Sequence, residues 1–438
     1  MTEATVASTE SRLVRALGTW ALAASIVNVT VGGGIFRLPG EMSKLLGPSA
    51  VWAYVVCALA MGLIVLCFAD AGSRVALTGG PYAYVETAFG PFVGFLSGVL
   101  LWAVGTFALA AVSTVLADSV AALVPALSGR VAKAGVLVLV YALLAGINVG
   151  GVKQGARLND VATVAKLLPL LLLVGAGALA VSPDNLAAAP PETGSLARAC
   201  IVLIFAFAGV ESALVPSGEV RNPARTVPRA ILVAMLGITL LYLALHAVAQ
   251  GVLGTATLAQ SATPLADAAG KAMGSGGRTL ILVGTAISTF GYVSGMILAT
   301  PRATFAMARD GFLPRALASV HPRFHTPHVA IIVQAVITCA LAISSQFILL
   351  AVLANLSTLL LYAACCMAAW ELRRRGVTTD GATPFRVPAA PVIPWLALGV
   401  ILFMLYSVTA KEWAWVLVVL GLAAAIFFVT QTSRAARR

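Results

Sequence analysis

Runs of about 20 consecutive apolar residues recur along this chain, and they constrain its fold more than any other feature. Such a run crosses the ~30 Å hydrocarbon core of a bilayer as a single helix, whereas a membrane barrel would show short two-residue alternation. Of the 438 residues, 60% are hydrophobic and 10% charged. A water-soluble domain carries about a quarter charged residues, so lipid must be the solvent for most of this surface. The pattern predicts an all-α integral membrane protein with transmembrane helices near 16–46, 49–75, 83–123, 132–150, 156–181, 197–218, 229–252, 279–307, 328–345, 347–371, 391–409 and 413–430.

The net charge of +12 does not point to nucleic acid. Its Lys and Arg cluster in short segments between apolar runs, as at Arg221, Arg225 and Arg229, or Arg373 to Arg375. With the amino terminus inside, the richer clusters all fall on one side, which predicts both termini in the cytoplasm. Residues 1–15 and 431–438 are expected as cytoplasmic tails, with no cleavable signal. Cys57, Cys67, Cys200, Cys339, Cys365 and Cys366 lie in or beside expected spans and read as small apolar packing residues. Three of the four histidines (His321, His325, His328) sit in one loop. No nucleophile–base pair, metal cluster or cofactor motif is apparent within the spans, which argues against an enzyme.

Two helices carry the same anomaly. The first is interrupted at Val31-Gly32-Gly33-Gly34, and the sixth at Phe205-Ala206-Phe207-Ala208-Gly209, followed by Glu211. Three adjacent glycines cost about 1 kcal/mol each relative to alanine in a helix. Close helix packing explains a lone glycine, but a triple, five spans upstream of a second interruption, is a different pattern. Paired interruptions in corresponding helices mark transporters built from inverted repeats, with the site near the midplane. Unwinding frees N–H groups at the start of one half-helix, a positive end that suits a carboxylate. It also frees carbonyls that suit an ammonium. The two breaks together therefore predict a site for a zwitterion without any charged side chain.

Lys166 lies in the fifth expected span, about 9 Å deeper than Asp160 at 1.5 Å per residue. It can be read as a snorkelling lysine or as a buried functional ammonium and candidate proton carrier; its depth favours the second. Arg37 is expected in an aqueous vestibule or snorkelling, His246 as a packing residue, and Asp118 without a special role.

Five segments carry a family likeness: Val31 to Phe36 with Pro39, Gly79 to Pro91, Phe205 to Ser212, Glu219 to Pro223 with Pro228-Arg229, and Arg309 to Pro314. Over nearly its whole length the chain resembles amino acid transporters of the amino acid–polyamine–organocation superfamily, of the bacterial permease type. The resemblance implies a bacterial cytoplasmic-membrane protein with a five-helix repeat (16–181), its inverted copy (197–371) and two accessory helices (391–430). It implies a substrate carboxylate on the amides of Gly32, Gly33 and Gly34. The ammonium would meet carbonyls near Val29 and Thr30 and near Phe205 and Ala206, with Phe207 as aromatic gate. In sodium-independent members a lysine like Lys166 takes the place of sodium and ties helix 5 to helix 1. Glu211 resembles an acid that holds the unwound segment or responds to protonation. Asp70 and Glu86 resemble scaffold acids, with Arg74, Arg302 or Arg309 as expected partners.

By motif position, Val104, Gly105, Phe205, Ala208, Met296 and Ser357 would surround the substrate's side chain. The set is small and apolar, so a second cationic group would be desolvated without a partner. Arginine antiporters of the superfamily carry Trp in place of Phe205 and Met296. The expected activity is sodium-independent secondary transport of neutral amino acids, by proton symport or exchange. Cationic amino acids, amines or polyamines on the same fold, or a non-transporting sensor, are the alternatives.

Overall fold

The computed structural model describes residues 18–75, 80–150, 155–186, 190–213, 220–309, 313–324, 326–378 and 384–435. Residues 1–15, Gly79, Glu219, Asp310 to Phe312, His325 and the side chains of Asp160 and Arg309 lie outside the described set. Among the described residues the chain is helical, with no β-strand. Seven stretches are long and apolar enough to cross a membrane: 34–74, 91–123, 130–150, 224–253, 264–305, 347–374 and 410–430. Five apolar helices are shorter: Thr19–Thr30, Lys166–Ala178, Thr193–Phe207, His328–Ser344 and Ile393–Leu405. The protein is a multi-pass membrane protein.

Burial sorts the helices into layers. Helices α5 (Pro91–Leu123) and α14 (Phe347–Arg374) form the interior, with 78% and 72% of their most apolar window buried. By contrast α6 (Arg130–Gly150) and α16 (Ala410–Ala435) have 22% and 17% buried, so their apolar faces are left for lipid. Helix α5 packs between α14 and α12 (Pro264–Arg309), and α3 (Val51–Arg74) packs on α10 (Pro223–Leu253). Helix α7 (Gly155–Ala178) lies against α10 and α12. Glycines at positive φ break or bend helices at two further places. Gly90 (φ +85°) separates α4 (Pro81–Phe89) from α5, and Gly274 (φ +74°) kinks α12. Both conformations are cheap only without a Cβ.

The glycine triplet ends α1 (Thr19–Thr30) and starts α2 (Gly34–Leu46). The second interruption lies between α8 (Thr193–Phe207) and the single turn α9 (Val210–Ala213). The two breaks pack on each other. A Cβ on Gly34 would come within 2.8 Å of the Phe205 ring, and one on Gly209 within 3.2 Å of backbone atoms of Val29 and Thr30. Gly209 also has φ +124°. Gly209→Ala is therefore expected to destabilise the protein by about 1–3 kcal/mol, seen as a lower melting temperature in detergent. Gly421→Ala, in mid-helix where nothing lies within 4 Å, should not lower it and should add up to about 1 kcal/mol of stability.

Candidate functional site

The α1 break leaves its donors and acceptors unequally used. The Val27 carbonyl accepts from Val31 N–H at 2.9 Å, and the Thr30 carbonyl from Gly32 N–H at 2.8 Å. Lys166 Nζ, 5% exposed, reaches across from α7 and donates to the Asn28 carbonyl. Tyr242 Oη, fully buried on α10, lies 3.1 Å from the Thr30 carbonyl and 2.9 Å from the Ala206 carbonyl. One phenol thus bridges the two breaks. Of the four carbonyls from Val27 to Thr30, Val29 alone meets no protein donor among the described residues. Gly33 and Gly34 stand where a starting helix leaves its N–H groups without intrahelical acceptors.

At the second break, Ala208 N–H bonds the Ile204 carbonyl at 3.0 Å and Gly209 N–H donates to Glu211 Oε2 at 2.9 Å. Tyr362 Oη donates to the same carboxylate oxygen at 2.6 Å. Glu211 is buried and tethers the unwound segment to α14.

A cavity of about 770 Å³ opens against both breaks. It is lined by ten of the residues singled out as substrate contacts: Val29, Thr30, Gly32, Gly33, Gly34, Val104, Gly105, Phe205, Ala208 and Met296. Glu211 lines it as well. Three others stand away from it. Ala206 turns its carbonyl to Tyr242, and Ser357 Oγ bonds the Leu353 carbonyl at 3.0 Å within its own helix. Phe207, expected as the gate, is fully buried edge-on against Tyr242 at 5.2 Å. The aromatic ring at the cavity is that of Phe205, set edge-on against Phe347 at 5.7 Å. Successive residues of a helix diverge by about 100°, so Phe205 and Phe207, two residues apart, point about 200° apart and cannot share a face.

From the breaks the lining continues past Trp102 and Thr300 to Tyr82, Phe95, Arg302 and Met307. Trp102 is fixed as a wall: its Nε1 donates to Gln334 Oε1 at 3.0 Å, and Gln334 Nε2 donates to Thr106 Oγ1 at 3.0 Å. At the other end of α5 the bundle is cross-tied. Arg37 bonds Asp118 and the Ala262 carbonyl, each at 3.1 Å, and Glu41 at 3.3 Å, while Lys133 bonds Asp118 at 2.6 Å. Arg37 and Asp118 are thus one structural unit, and Asp118 acquires a role that sequence reasoning denied it. Asp70 pairs with Arg74 and Arg373, each at 2.9 Å, not with Arg302. His246 is a packing ring, stacked on Tyr54 at 4.6 Å. All six cysteines are free thiols, and His321 Nδ1 accepts two backbone N–H groups of its own loop.

Tyr242 escaped sequence reasoning because a tyrosine in an apolar helix carries no positional signal. Tyr242→Phe removes a donor shared by two buried carbonyls and should cost about 1–3 kcal/mol of stability. Thermal melting in detergent checks this; an unchanged melting temperature would show that the bridge is dispensable.

Residues 17–434 match the family model described as amino acid permease. The chain is 28% identical to a methylthioribose transporter of Bacillus subtilis (strain 168), over 96% of this chain and 94% of that protein. It is 29% identical to the branched-chain amino acid permease BcaP of the same organism, over 93% of this chain and 90% of that one. With the serine/threonine exchanger SteT, again of Bacillus subtilis (strain 168), it shares 30% identity over 87% and 88% of the two chains. The chain belongs to the amino acid permease family.

Proposed function

We propose that this permease carries neutral amino acids across the membrane by alternating access, without sodium. The observation that carries the reading is the pair of facing breaks. The Gly33 and Gly34 amides offer donors for a carboxylate. Val29 and Phe205 line the cavity, and their carbonyls, which meet no protein donor among the described residues, offer acceptors for an ammonium. Gly32, Thr30 and Ala206 contribute less directly, because their polar groups already bond within the protein.

In this reading α1 with α2, and α8 with α9, are discontinuous passages of a twelve-helix, five-plus-five inverted repeat with two accessory helices. The side chain of the cargo points toward Val104, Gly105, Ala208 and Met296. A neutral cargo is also in keeping with the named relatives, whose cargoes are branched-chain amino acids, serine and threonine, and methylthioribose. None of these is a cation.

Lys166 supports sodium independence. Its ammonium holds the Asn28 carbonyl, and a cation so placed leaves a metal ion no room on that carbonyl. Deprotonation of Lys166 would weaken this tie between α7 and α1 to a neutral hydrogen bond and protonation would restore it, which makes it the group to carry a coupled proton.

Uptake into proteoliposomes of labelled leucine, serine and alanine is expected to be unaffected by replacing sodium with potassium. Strict sodium dependence would overturn the coupling proposal. Lys166→Ala is expected to lower uptake at least tenfold, since a buried charged hydrogen bond contributes about 1.5–3 kcal/mol. Native kinetics in that variant would exclude Lys166 from the cycle. Displacement of bound leucine by lysine or arginine in preference to neutral amino acids would overturn the cargo class.

A further inference from the structure

The lining of the cavity includes two charged side chains, and they differ in what they already hold. The Glu211 carboxylate takes two donors on Oε2 and is buried. It is nonetheless an acid beside the cavity, so the absence of acids from the predicted pocket cannot by itself explain rejection of cationic cargo. Arg302 is the other. It is exposed on the last turns of α12, and its guanidinium donates to the Leu298 carbonyl one turn back on the same helix. No carboxylate among the described residues pairs with it. The lining around it, Phe95, Gly98, Ala299, Thr300, Ala303 and Met307, contains no acid.

The position along α12 gives this charge a purpose. Thr289 packs against Gly33, and Arg302 follows thirteen residues later in the sequence. That is about 20 Å along the helix axis at 1.5 Å per residue. An uncompensated positive charge thus stands at the far end of a cleft with mostly apolar walls, a geometry that focuses its field on whatever passes.

We propose that Arg302 is a specificity-determining residue of the pathway, a carboxylate station at the open end of the cavity that admits zwitterions and repels amino acids with a second positive charge. This rests on the cavity being the cargo path. A zwitterion can present its carboxylate to the guanidinium and pass with no net repulsion. A lysine-like cargo must bring a side-chain ammonium past the same guanidinium between walls that offer no counter-charge. Discrimination against cations then begins about 20 Å from the breaks, and Glu211 can remain an anchor of the unwound segment.

The test is counterflow of labelled L-leucine in proteoliposomes, with unlabelled L-lysine and L-leucine as competitors. The readout is the ratio of their half-inhibitory concentrations. Arg302→Gln should lower that ratio by about tenfold, the effect of one nearby unit charge in a partly screened site. Arg302→Lys should retain it. In the native protein the ratio should fall as salt rises from about 20 mM to about 500 mM, because the screening length shrinks over that range. A ratio within twofold of native in Arg302→Gln would overturn the proposal. So would an activity that follows only the anionic lipid content of the vesicles, which would make Arg302 a lipid anchor. If Arg302→Gln does not fold, the native salt series decides alone, and a salt-independent ratio refutes the filter. Failure of the cargo reading is separately visible: in that case neither leucine nor any other neutral amino acid competes in the native protein.

Discussion

An unpaired backbone amide or carbonyl costs several kcal/mol where water is absent, and this fold is arranged around two places that leave such groups open. Each break is covered mainly by the other. Gly34 lies against the Phe205 ring, Gly209 lies against Val29 and Thr30, and Tyr242 bridges one carbonyl from each side. Lys166 and Glu211 supply the remaining protein partners, from α7 at the first break and within α9 at the second. What is left after this pairing, among the described residues, is a short set of groups on residues that line the cavity: two amides at the start of α2, and the carbonyls of Val29 and Phe205. The proposed zwitterion site is the physical complement of those unmet hydrogen bonds.

The surrounding helices make the arrangement asymmetric. The cavity runs from the breaks toward Arg302, Phe95 and Met307, while the opposite end of α5 is fastened by Arg37, Asp118 and Lys133. Arg37 belongs to α2, the same half-helix that presents the Gly33 and Gly34 amides. Any movement of α2 that follows cargo binding must therefore work against an ion cluster anchored on α5, α6 and the Ala262 carbonyl. A cavity that reaches one end of α5 while the other end is tied is in keeping with the proposed alternating access.

Much of this was legible in the sequence, for reasons that differ residue by residue. The breaks were visible because glycine triplets and a buried Glu211 violate the rules of an apolar helix. Lys166 was visible because a lysine well inside a span needs a partner, although which carbonyl it meets depends on how α7 packs. Motif position, carried by the family resemblance, singled out Val104, Gly105 and Met296, and all three line the cavity. Facing was harder: Phe205 and Phe207 are two residues apart, and only their packing on Phe347 and Tyr242 tells which one turns to the cavity. Ser357 failed for the same reason, since Ala354, Asn355 and Thr358 hold the lining face of α14. Pairings between distant segments, such as Arg37 with Asp118 or Asp70 with Arg373, leave no trace in a single sequence.

The central claim is that the two breaks hold a carboxylate and an ammonium at once. It is tested most directly by comparing binding of L-leucine with that of its methyl ester and its N-acetyl derivative to the purified protein by titration calorimetry. Each derivative removes one charged partner and keeps the side chain. Loss of a charged hydrogen-bonding partner of about 1.5–3 kcal/mol predicts binding weakened roughly 10- to 100-fold for both. Either derivative binding as tightly as leucine would contradict the account, because one of the two breaks would then hold nothing.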